Sequence, residues 1–118
     1  MQNRGIMSTI DYACEKLWEA VHDLALGRGR VKDRLDSAAQ YVAMAAGAKH
    51  DFADFRAEYD AVWARLTAVD ARGDEGAVRA KLAQMSEDDA CEIASQILTL
   101  AYKAKEAMEQ ERASGAVP

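Results

Sequence analysis

Three times in this chain a helix-start signal precedes a long apolar stripe at helical spacing. The starts are Ser8-Thr9-Ile10-Asp11, Asp51-Phe52-Ala53-Asp54 and Ser86-Glu87-Asp88-Asp89. Each places a short oxygen-bearing side chain at the N-cap and a carboxylate three residues on, where both satisfy backbone N–H groups that have no partner within the helix. No segment alternates with period two, and the only proline is Pro118 at the end of the chain. A sequence of that kind predicts an all-α domain, a helical bundle of four main helices plus one short helix joined by short turns.

The spacing predicts a first helix over Thr9–Leu26, with Ile10, Cys14, Leu17, Val21 and Leu24 inward. The turn Gly27-Arg28-Gly29-Arg30 follows it. A second helix is expected over Val31–Ala46, capped by Gly47, on a face that is mostly alanine. The third runs over Phe52–Ala71, where Phe52, Phe55, Tyr59, Val62, Trp63, Leu66 and Val69 keep the i, i+3, i+4, i+7 pattern. Trp63 and Leu66 are expected to be buried against the fifth helix, and Trp63→Ala to cost about 3–5 kcal/mol. Arg72-Gly73-Asp74-Glu75-Gly76 breaks the pattern before a short fourth helix over Ala77–Met85. The fifth extends over Glu87–Ala113, roughly 40 Å at ~1.5 Å per residue. Residues 1–7 and 113–118 are expected to be disordered, and 1–118 to form one domain.

The apolar residues of the fifth helix spread around most of its circumference: Ile93, Ile97, Leu98, Leu100, Ala101 and Tyr102. A surface that wide implies a central helix or one also covered by a second subunit. A homodimer is therefore expected, with Ile93, Leu100 and Met108 near the contact.

Composition narrows the function more by exclusion than by assignment. The net charge of −5 and a pI near 5.0 argue against nucleic-acid binding over the whole surface. The longest apolar run is far too short to span a membrane, and no secretion signal opens the chain. A cytoplasmic location is the expectation. Cys14 and Cys91 lie far apart; two reduced thiols are expected, with a bridge between the first and fifth helices left open.

Candidate chemistry is sparse. Glu19-Ala20-Val21-His22 has the Glu-x-x-His spacing of di-iron bundles, but no second such pair follows. His22 is expected instead at the core edge against Trp18. His50 falls in an expected loop, and the histidines and cysteines lack zinc spacing. No serine or cysteine has the surroundings of a nucleophile. No enzyme, metal or cofactor is expected.

Charge is more informative. Arg28, Arg30, Lys32 and Arg34 put four cations within seven residues of an acidic chain. Arg28 and Arg30 suit the C-terminal dipole of the first helix, whereas Lys32 and Arg34 open a helix, where cations are unfavourable. Opposed to this patch are Asp51, Asp54, Glu58 and Asp60, and then Glu87, Asp88, Asp89 and Glu92. The candidate partner-binding residues are Arg28, Arg30, Lys32, Arg34, Asp51, Asp54 and Glu58, with the choice between acidic and basic surfaces open.

The segments Leu26-Gly27-Arg28-Gly29-Arg30-Val31-Lys32-Asp33-Arg34-Leu35 and Leu82-Ala83-Gln84-Met85-Ser86-Glu87-Asp88-Asp89-Ala90, with Arg72–Val78 leading into the latter, carry a resemblance. The arrangement resembles small uncharacterised helical proteins encoded by phages, prophages and other mobile elements. That resemblance implies an accessory role through contact with a host protein, as in anti-defence or anti-CRISPR inhibitors. A homo-oligomeric assembly module and a small nucleic-acid-associated protein using Arg28–Arg34 are the alternatives.

Overall fold

The computed structural model describes residues 8–50, 52–67 and 76–114. Among them there is no strand; the described residues form an all-α bundle of five α-helices, α1 (Thr9–Leu26), α2 (Val31–Met44), α3 (Ala53–Thr67), α4 (Ala77–Gln84) and α5 (Glu87–Ala113). Local chemistry explains most boundaries. Ser8 Oγ accepts from Asp11 N at 3.1 Å and starts α1. Ser86 Oγ accepts from Asp89 N at 3.0 Å and starts α5, whose first turn carries Glu87, Asp88 and Asp89 against the helix dipole. The expected cap at Asp51 lies outside the described residues, as do Val69 and the expected end of the third helix.

α3 starts one residue later than expected, at Ala53, and α4 ends one residue earlier, at Gln84; the end of the second helix differs more. Gly47 does not cap α2; the chain leaves α2 at Met44 and continues as a 3-10 helix over Ala45–His50. With three residues per turn, Ala45 and Ala48 point the same way, and both are buried. Continued burial of small side chains against α1 keeps the backbone coiling past an exposed glycine.

α5 is the central element. It packs against α1, α2 and α3, while α1 also packs along α2. The core joins Ile10 and Leu17 of α1, Leu35 and Val42 of α2, and Leu66 of α3 to Ile93, Ile97 and Leu100 of α5. Alanines 13, 20, 38, 39, 90, 101 and 104 fill the interhelical contacts, so the helices approach closely. Tyr59 is 2 % exposed, and its hydroxyl donates to Val42 O at 2.8 Å, tying α3 to α2. Burial pushes its pKa up to about 12, with the neighbouring Asp60 charge acting in the same direction.

Two core expectations are corrected. Leu66 is fully buried, but Trp63 is only half-buried, stacked at 6.3 Å on the outer side of Tyr59. The Tyr59 ring occupies the interior position, leaving the indole at the rim. His22 is exposed rather than packed at the core edge; Tyr102 from α5 takes the place beside Trp18.

Candidate functional site

The basic turn is built from backbone outward. Gly27 N donates to Asp23 O at 2.8 Å, and a Cβ at Gly27 would stand 2.5 Å from that same oxygen. Gly29 has φ +89°, in the left-handed region that glycine adopts without strain. Asp33 Oδ2 then accepts from Arg30 N at 3.0 Å and opens α2.

The four cations of this segment divide into two pairs. Arg34 turns back and donates from Nη1 to Leu24 O at 2.6 Å, satisfying a carbonyl in the last turn of α1. Lys32 reaches across to Met85 O at 2.9 Å, at the end of α4. Both are half-buried, so they are fastenings of the bundle and not part of an open patch. The dipole-complementing role expected of Arg28 and Arg30 belongs to Arg34. Arg28 and Arg30 remain exposed, and their guanidinium groups make no ion pair among the described residues.

The acidic residues also divide. Asp60 pairs with Lys49 at 3.2 Å, and Glu92 with Arg65 at 2.8 Å. Asp54 is exposed and Glu58 half-exposed on α3, neither in an ion pair among the described residues. Asp51 lies outside the described residues. Asp88 and Asp89 are exposed at the start of α5.

The two residues of the Glu-x-x-His pair have separate surroundings. Glu19 is held by Lys16 at 3.0 Å, while His22 faces solvent. Among the described residues no group of three metal-ligating side chains comes together. Cys14 is buried and Cys91 exposed, and both thiols are free. Burial pushes the Cys14 thiol pKa up, and the nearby Asp11 charge adds to the effect. The antiparallel packing of α1 and α5 separates the two cysteines: Asp11 meets Arg112 at 3.7 Å and Trp18 meets Tyr102, so Cys91 lies toward the other end of the pair.

The surface that sequence reasoning missed lies on that pair. Trp18 packs edge-on against Tyr102 with ring centroids 5.1 Å apart. Beyond it, Val21, Leu24 and Ala25 of α1 and Ala94 and Leu98 of α5 line a shallow apolar groove. Tyr102 is 56 % exposed and Leu98 39 %. Ile93 and Leu100, expected at a subunit contact, are instead 1 % and 0 % exposed. Met108 is half-buried against the same core. α1, α2 and α3 surround α5 on the side that carries Ile93 and Leu100, so these residues have no surface to offer a second chain. The signal for the outer strip was present: Cys91, Ser95, Leu98, Tyr102 and Lys105 recur at alternating spacings of four and three, the pattern of a helix seam.

Comparison with family models, curated proteins and solved structures finds no match for this chain.

Proposed function

We propose that this chain is a non-enzymatic protein-interaction module, an accessory protein of a phage or other mobile element that binds and modulates a host protein in the manner of an anti-defence or anti-CRISPR inhibitor. The supporting observation is the α1–α5 strip. A bundle that encloses Ile93, Ile97 and Leu100 completely still leaves Leu98 and Tyr102 at the surface beside Trp18. Tyrosine and tryptophan on an apolar strip with a polar border are the composition that protein interfaces favour. The mobile-element origin rests on the resemblance of the Leu26–Leu35 and Leu82–Ala90 segments.

Charge directs the encounter with the host protein. Two of the four candidate cations are engaged inside the bundle, which weakens the nucleic-acid reading. Asp54 and Glu58 stand without ion pairs among the described residues, on a chain of net charge −5, and a basic protein surface is their complement. No helix among the described residues is long and apolar enough to cross a membrane. An exposed unpaired Cys91 suits a reducing cytoplasm.

The test is affinity capture from bacterial lysate, identification of the captured protein, and binding kinetics with the purified pair. Asp54→Lys/Glu58→Lys is expected to slow association about tenfold without loss of helix content, and added salt to slow the wild type similarly. Association unchanged by both the charge reversal and salt would remove the acidic surface from the contact.

A further inference from the structure

We infer that the α1–α5 strip is the seat of a second copy of this chain, in a two-fold pairing with α5 antiparallel to its counterpart. The inference rests on reading this strip as a protein contact; it gives the strip to a second copy and leaves the host protein to the acidic surface of Asp54 and Glu58 on α3.

The strip is self-complementary in one direction only. Cys91, Ser95, Leu98, Tyr102, Lys105 and Glu109 form one line on α5, set by alternating steps of four and three residues. Leu98 and Tyr102, its two large exposed apolar side chains, are one turn apart. A two-fold axis level with Leu100 sets each Leu98 on the partner's Tyr102, with both Trp18 indoles closing the apolar centre. Positions equally far from Leu100 then face one another. Ser95 meets the partner's Lys105, and Cys91 meets the partner's Glu109. No like charges are opposed. A parallel pairing would set Lys105 on Lys105 and Glu109 on Glu109, which two exposed helices avoid.

Charge at the ends of the strip agrees with the same direction. α1 runs antiparallel to α5, with Asp11 level with Arg112, Trp18 against Tyr102, and Ala25 and Ala94 lining the same groove. Continuing that register brings the turn after α1 level with the Cys91 end of α5. The guanidinium groups of Arg28 and Arg30, without an ion pair among the described residues, stand there, where the partner's Glu109 arrives. Glu109 is exposed and makes no ion pair among the described residues. The apolar centre supplies burial, and the unpaired charges at either end set the register.

Sedimentation equilibrium of the full chain over about 1–100 μM is expected to give a dimer. Leu98→Glu/Tyr102→Glu changes only exposed positions. It should weaken association by ~100-fold or more with circular dichroism unchanged. Arg28→Glu/Arg30→Glu should weaken it ~10-fold, and adding Glu109→Arg should restore it. Direction is read by a short bismaleimide crosslinker. In the antiparallel pair the two Cys91 thiols lie ~27 Å apart along the helix axes, so the wild type should stay uncrosslinked. The Glu109→Cys variant should give covalent dimer, and adding Cys91→Ser should abolish it.

Wild-type crosslinking through Cys91 overturns the antiparallel direction. A dimer indifferent to Leu98→Glu/Tyr102→Glu overturns the surface. A monomer at every concentration overturns the pairing itself. If that monomer still binds a captured host protein, the interaction reading stands and only the second copy is removed.

Discussion

Replacing Arg34 by alanine tests whether the basic segment is a fastening or a contact. The side chain carries a charge-assisted hydrogen bond to Leu24 O, and such bonds are worth about 1.5–3 kcal/mol when removed. Its charge also opposes the C-terminal dipole of α1, worth about 0.3–1 kcal/mol in a partly exposed setting. Against this, its Nε is buried without a partner, a cost that alanine relieves. The balance is a loss of about 1–2 kcal/mol. For a chain of 118 residues that lowers the melting temperature by about 4–8 °C. Arg28→Ala, at an exposed turn position without an ion pair among the described residues, should stay within about 0.5 kcal/mol of wild type. Thermal and urea unfolding followed by circular dichroism at 222 nm read both variants. Arg34→Ala melting with wild type, or Arg28→Ala falling as far as Arg34→Ala, would refute the division of the four cations into two structural and two surface residues.

Two further outcomes follow from the core. Leu66→Ala should cost about 2–5 kcal/mol and Trp63→Ala less, reversing the order that residue size alone implies, because Leu66 is fully enclosed and Trp63 sits at the rim; urea titration of both ranks them. Tyr59 holds its proton more tightly folded than unfolded, so its contribution is complete below its ordinary pKa of 10.0 and is lost as pH rises toward about 12. Stability measured across that window should fall, and Tyr59→Phe should flatten the fall; an unchanged slope in the variant would assign it elsewhere.

Much of this bundle was legible in the chain because the causes are local. Ser8 and Ser86 cap helices through atoms three residues away, and the bounds of α1 and α5 follow from those caps and the apolar period. The inward faces of Leu17, Leu35, Leu66 and Ile97 follow from the same period. What the tertiary structure decided lies between elements. An apolar arc on α5 records how much surface must be covered, not which helices cover it. Ile93 and Leu100 therefore read as a subunit contact until α1, α2 and α3 are seen to surround them. Lys32 and Arg34 read as an open patch because their partners are the backbone carbonyls of Met85 and Leu24, and a carbonyl leaves no mark on the residue type that carries it. Trp18 lost its expected neighbour His22 to Tyr102, a residue 84 positions away, because the register of two antiparallel helices is set by packing along their whole length.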